Sequence, residues 1–153
     1  MSAQRFLLKG GQILGGKAAD LLIADGRSAE ISTSISDKQA TVIDLKGSIV
    51  LPGLVDLHTH LREPGREDSE TVTSASRAGA KGGFTALSAM ANTSPVADTA
   101  GVVEQVYRLG QEAGFVDVFP IGAVTQGLQG EQLSEIGAMA DSVARVRVFS
   151  DDG

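Results

Sequence analysis

Cysteine is absent from this sequence. Disulfides and thiolate metal sites are thereby excluded, and the composition suits a cytosolic protein. No apolar run reaches the roughly 18 residues that a membrane-spanning helix needs. The opening stretch MSAQRFLLKGGQ has a short apolar segment but neither an h-region nor a cleavage site, so no signal peptide is expected. Basic residues are the minority, 13 against 19 acidic, for a net charge of −6. With no Lys/Arg cluster, nucleic-acid binding is not expected. Internal repeats and low-complexity tracts are missing. Histidine is nearly missing: the chain has two, and both fall within DLHTHLREPG, residues 56–65. What is present is a 42% hydrophobic fraction over 153 residues, enough for a core in one ordinary domain length.

Residues 1–52 read as a small β-domain. RFLLKGGQIL, ADLLIADGR, SAEISTSIS and TVIDLKGSIVL are strand-like and rich in β-branched residues. Asp25-Gly26 is a hairpin signal, and turns arrive every ten residues or so, as in a small sandwich or barrel. GQILGGKA nearly matches a phosphate-binding loop. Ala18 stands where a hydroxyl should hold magnesium, and a strand rather than a helix follows, so the match is rejected.

From Pro52-Gly53 the rhythm changes. LVDLHTH is strand-like. Residues 69–81 are predicted helical, with Asp68 or Ser69 as N-cap and Gly82-Gly83 as the stop. A strand at 84–90, a helix at 99–114 with Val102, Val103, Val106 and Leu109 on one face, a strand at 116–124, a helix at 130–144 and a strand at 145–150 follow. Such alternation implies a parallel sheet with right-handed crossovers. The fold class is therefore α/β.

In a strand, alternate side chains share a face, so Asp56, His58 and His60 point one way and Val55, Leu57 and Thr59 the other. Two imidazoles at the C-terminal end of a parallel strand can hold one metal ion, and α/β folds place their chemistry at that end. At the far end of RVRVFSDDG, Asp151 and Asp152 are candidates to join them. Carboxylate and imidazole together suit zinc, and a carboxylate can bridge two metals. Ala144, Val146, Val148, Ser150 and Asp152 form the smaller set by parity. If that set faces the interior, Asp152 is the ligand. Arg62 and Asn92 could clamp a substrate carboxylate at the same mouth. Each motif also has a plainer reading: hydrogen-bonded histidines, an Arg62 ion pair with Glu63 or Glu67, a turn at Asn92, and a turn at DDG. The remaining carboxylates are expected on solvated helix faces, and Met90 and Met139 in the core or its rim.

VIDLKGSIVLPGLVDLHTHLREPG, AMANTSPVADT and FSDDG together resemble the dihydroorotases of the amidohydrolase superfamily, in their longer bacterial type. The resemblance runs through essentially the whole chain. It implies a (β/α)₈ TIM-type barrel beside a small β-sandwich-like segment, with residues 53–153 as the first half of the barrel. It implies zinc, two ions in the whole enzyme, with His58, His60 and Asp152 as ligands. It implies His60, Arg62 and Asn92 as substrate-binding residues. The reaction implied is reversible cyclisation of N-carbamoyl-L-aspartate to dihydroorotate in cytoplasmic pyrimidine biosynthesis. The partners implied are this small-molecule substrate, further copies of the chain and aspartate transcarbamoylase.

Two departures stand out. Ala91 replaces the proline of the usual MPNT, which is expected to loosen that loop. A full barrel takes about 250 residues, and only about 100 follow the β-segment. The family's later histidines and its acid/base aspartate have no positions here, so that aspartate is expected beyond Gly153 and the chain alone is expected to be inactive. Two other readings stay open: a hydantoinase, dihydropyrimidinase or allantoinase, and a non-catalytic partner of aspartate transcarbamoylase. The first group usually carries a modified lysine in place of DDG.

Overall fold

A computed structural model describes residues 4–151. The chain divides at Pro52/Gly53 into two compact units.

In the first unit, β1 (Arg5–Ile13) pairs antiparallel with β2 (Ala18–Ala24), which pairs antiparallel with β3 (Arg27–Ser32). Asp25 (φ 53°) and Gly26 (φ 70°) form the two-residue turn between β2 and β3, the double left-handed geometry that matches strand twist. β4 (Thr41–Asp44) and β5 (Ile49–Val50) both return to pair parallel with the other edge of β1. The result is one mixed five-stranded sheet. A two-layer sandwich, the sequence expectation, does not form among the described residues, because the late strands extend the first sheet rather than starting another. Leu7, Leu22 and Ile35 make its small core, with Ala40 against them. GQILGGKA runs from β1 through a turn into β2, and no helix follows it.

The second unit is α/β. β6 (Leu54–Thr59), β7 (Phe84–Ala89) and β8 (Asp117–Pro120) form a parallel sheet in that order. α1 (Val72–Lys81) and α2 (Ala100–Ala113) are the crossovers. α1 starts later than expected. Thr71 and Ser74 exchange side chain and backbone hydrogen bonds in a capping box, and the Val72 N–H donates to Glu63 Oε2 at 2.8 Å. Asp68 and Ser69 belong to the preceding turn, where the Ser69 N–H donates to the Arg66 carbonyl. α2 packs Val106 in the cluster with Leu87 and Val118 of the sheet and Val103 in the cluster with Ala91, Ala123 and Met139, and it ends at left-handed Gly114 (φ 66°).

Beyond β8 the regular pattern weakens. The helix expected over 130–144 is only α3 (Ile136–Asp141), because residues 132–134 pair instead with the loop after β8, through the Thr125–Leu133 bridge and the Ser134 N–H on the Val124 carbonyl. The strand expected over 145–150 is not formed. Arg145 is left-handed (φ 46°), and a single parallel bridge, Gly122 to Phe149, joins this segment to the chain just past β8. Ala144 and Val146 are buried against Val103 and Met139, on the helix side, while Val148 is exposed. Strict alternation is lost, and with it the parity argument for Asp152. Met90 and Met139 are both buried.

Candidate functional site

β6 delivers His58 and His60 at its C-terminal end. Their rings sit edge to face with centroids 5.1 Å apart, and the two Nε2 atoms are 3.3 Å apart. Imidazole nitrogens bound to one tetrahedral zinc at about 2.0–2.1 Å lie about 3.3 Å from each other. The pair therefore has the spacing of two ligands of one ion, and imidazole is a fitting donor. The Asp56 carboxylate accepts the His58 backbone N–H at 3.0 Å, which leaves this aspartate within the strand end. Among the described residues no group of three or more His, Cys, Asp or Glu is placed to hold a metal. Asp152 lies outside the described residues.

Asn92 comes from the loop after β7. Its Oδ1 is 3.0 Å from His60 Nδ1. The backbone sets this meeting: the Met90 N–H donates to the Thr59 carbonyl at 2.8 Å, carrying the β6–β7 ladder one step past the strand ends. Ala91 is fully buried, and its carbonyl accepts the Ala97 N–H at 3.0 Å. The loop is thus pinned where Ala91 had suggested loosening.

Arg62 is left-handed (φ 64°) and half-buried. It follows His60 by two residues, in a loop that docks on the Asn92 loop through the Ser94 N–H and the Pro64 carbonyl (2.9 Å). Both loops carry a cis proline, Glu63-Pro64 and Ser94-Pro95. The carboxylates that could have claimed Arg62 in a surface pair are engaged by backbone donors: Glu63 by Val72, and Glu67 by the Gly65 N–H at 2.7 Å. The structure thus brings His58, His60 and Asn92 into direct contact and sets Arg62 on the neighbouring loop.

Asp151 has a different role, which sequence reasoning missed. Its Oδ1 accepts the N–H groups of Val124 and Thr125 at 2.8 and 2.9 Å, and its Oδ2 accepts the Thr125 hydroxyl at 2.6 Å. That hydroxyl accepts the Gly130 N–H in turn. The Thr125 hydroxyl first, then the Thr125 N–H, hold the Asp151 carboxyl below its ordinary value. The Val124 N–H acts the same way, and burial opposes them. Asp151 is a tie between the chain's last segment and the loop after β8. A lone threonine in a glycine-rich turn has no periodicity, so nothing in the sequence marks the contact.

The family model described as dihydro-orotase-like matches residues 47–153. The chain belongs to the dihydro-orotase-like family. It is 63% identical to the dihydroorotase of Leifsonia xyli subsp. xyli over all 153 residues, which cover 35% of that protein. It is 62% identical to the dihydroorotase of Streptomyces coelicolor over 96% of this chain and 34% of the relative. Among solved structures, the L-hydantoinase (dihydropyrimidinase) of Arthrobacter aurescens matches with a TM-score of 0.67 and 27% identity, over 80% of this chain and 29% of that one. This dihydro-orotase-like chain therefore spans about a third of the length of the curated relatives it matches. No helix among its described residues is long and apolar enough to cross a membrane.

Proposed function

We propose that this chain is the N-terminal portion of a zinc-dependent dihydroorotase that interconverts N-carbamoyl-L-aspartate and dihydroorotate in the cytoplasm. Residues 1–52 are its small β-domain and residues 53–153 the first half of its (β/α)₈ barrel. The observation that carries the reading is the His58–His60 pair with facing Nε2 atoms 3.3 Å apart, beside Asn92, in a chain of this family. His58, His60 and Asp152 are the metal ligands. With Asp151 committed to the Thr125 loop, Asp152 is the carboxylate of the pair left for the metal. Zinc bound there supplies Lewis acidity at an amide carbonyl and makes water a nucleophile near neutral pH.

The chain's own residues orient the substrate. Arg62 takes the carboxylate that dihydroorotate carries, as a guanidinium fork does. The Asn92 amide N–H groups donate to the same anion, and His60 borders the reacting amide. Ring opening breaks the amide C–N bond, water adds its hydroxyl to the carbonyl carbon, and the nitrogen gains a proton. The acid/base aspartate for that proton belongs to the part of the enzyme beyond Gly153. The 153 residues alone are therefore inactive, and the working form is a homo-oligomer, with aspartate transcarbamoylase as a candidate companion.

The test is a substrate panel on the whole enzyme: dihydroorotate against hydantoin, dihydrouracil and allantoin. Dihydroorotate should be strongly preferred. Arg62→Gln should raise its KM roughly 10- to 150-fold, the loss of a charge-assisted contact of about 1.5–3 kcal/mol, and leave an uncharged cyclic amide little affected. A preference for hydantoin or dihydrouracil would instead favour the hydantoinase reading, which the likeness to the Arthrobacter enzyme motivates. Turnover by the 153-residue chain with zinc would overturn the claim of inactivity.

A further inference from the structure

Asn92 touches the metal histidine, not only the space where a substrate would lie. Its Oδ1 is 3.0 Å from His60 Nδ1. With the amide oxygen turned toward the ring, as it stands in the structure, that oxygen can only accept, which assigns the proton of a neutral His60 to Nδ1. The ring lone pair is then on Nε2, the atom that faces His58 Nε2 at 3.3 Å. We propose that Asn92 is a positioning residue for the metal: its Oδ1 fixes the His60 tautomer and ring angle, while the nitrogen of the same amide serves the substrate anion. One side chain then links the two halves of the site. The inference rests on the metal reading of the histidine pair but not on which cyclic amide is the substrate.

Three observations make the contact a built one. The Met90 N–H to Thr59 carbonyl bond fixes the register between the two strand ends, one residue before His60 and two before Asn92. Ala91 is fully buried and hydrogen-bonded through its carbonyl, so the backbone carrying Asn92 cannot drift. Asn92 itself is half-buried, which shields the bond from water. Metal-ligating histidines commonly donate their second N–H to a carboxylate or carbonyl, and losing that acceptor typically costs 10- to 100-fold in metal affinity. Here the acceptor is an amide. That choice has a chemical consequence. A carboxylate would orient His60 equally well but would repel a substrate carboxylate. An asparagine can satisfy the histidine through oxygen and the anion through nitrogen.

Long-range ¹H–¹⁵N correlation on the metal-free, ¹⁵N-histidine-labelled whole enzyme above pH 8 reads each tautomer, with His58→Gln and His60→Gln for assignment. His60 should carry its proton on Nδ1, and Asn92→Ala should abolish that preference. Zinc affinity, by competition with a chromophoric chelator, should fall roughly 10- to 100-fold in Asn92→Ala and stay near wild type in Asn92→Asp, whose carboxylate accepts the same proton. Circular dichroism checks that each variant is folded. A His60 proton on Nε2 in the wild type, unchanged zinc affinity in Asn92→Ala, or equal losses in the Ala and Asp variants would each overturn the proposal. A wild-type enzyme that binds no zinc would instead count against the metal reading, and the tautomer spectrum would still report on Asn92.

Discussion

Asp20 is 4% exposed, in the middle of β2, and accepts the backbone N–H groups of Gly10 and Ile35, each at 3.0 Å. Gly10 is left-handed (φ 69°) and lies where the β1–β2 register shifts between Leu8 and Gly11. The carboxylate therefore satisfies a donor that this irregularity takes off the ladder. The Ile35 N–H, then the Gly10 N–H, hold its carboxyl below the ordinary value of 3.8. Burial opposes them, and Lys9 Nζ at 3.5 Å assists. A lowered folded-state pKa stabilises the fold above the unfolded value, and that stabilisation is lost as pH falls through the folded value. Thermal melts between about pH 2 and 7 should show Asp20→Asn less stable than wild type at neutral pH, with the gap closing below about pH 4. A gap of constant size across that range would show that the charge is not what matters. Sequence reasoning put the carboxylates outside the proposed site on solvated helix faces. Asp20 contradicts that, because it satisfies backbone donors at an irregular place, and irregular backbone leaves no periodic trace; Asp151, a candidate ligand by sequence, likewise accepts backbone donors from the loop after β8. The histidines were legible for the opposite reason: a period of two in a strand end fixes their common side directly.

Among the elements, α2 was the most legible, because its apolar stripe repeats at helical spacing and a glycine closes it. Its contact with β8 is tight. A Cβ at Gly110 would lie 2.5 Å from Val118 Cβ, an overlap between two atoms fixed to the backbone. Gly110→Ala should therefore destabilise the chain by about 1–3 kcal/mol through overpacking, outweighing the gain of up to about 1 kcal/mol from helix propensity. Gly101 is in the same helix with nothing within 4 Å of its would-be Cβ, so Gly101→Ala should stabilise by about 0.5–1 kcal/mol. Urea denaturation of the pair decides it: equal signs would refute the packing argument. Gly65 is a stricter case in the loop that carries Arg62. It has φ 102°, and a Cβ there would collide with the Ser94 carbonyl oxygen of the Asn92 loop. The two loops approach closely only because that position is glycine. The last part of the chain was the least legible. TQGLQGEQL has helix-forming residues, yet left-handed backbone at Gly127, Leu128 and Gly130 diverts it. RVRVFS alternates like a strand, but Arg147 curls back to donate to the Ala140 and Val146 carbonyls. Tertiary contacts override the local pattern in both places.

At the scale of the whole molecule, the second unit carries apolar side chains that its own packing does not cover. Leu57 is 72% exposed, Val55 56%, Phe119 51% and Val148 56%. Strands of a parallel sheet are ordinarily buried on both faces, and among the described residues β6 pairs with β7 alone. An open strand edge beside exposed leucine and valine is a template for association. The fold is thus consistent with its local sequence, each strand apolar enough for a buried sheet, while the burial those strands are built for is only partly achieved within 153 residues. The chain on its own should accordingly self-associate at micromolar concentration and bind an apolar dye such as ANS. Size-exclusion chromatography with light scattering measures the first, and the apparent mass should rise with loading. Replacing the largely exposed Val55 and Leu57 together by lysine adds charge at the open edge, so it should shift the distribution towards monomer with little change in melting temperature. A wild-type chain that runs as a single monomer at every loading, or a double variant that associates as strongly as wild type, would show that this face is not the source of association.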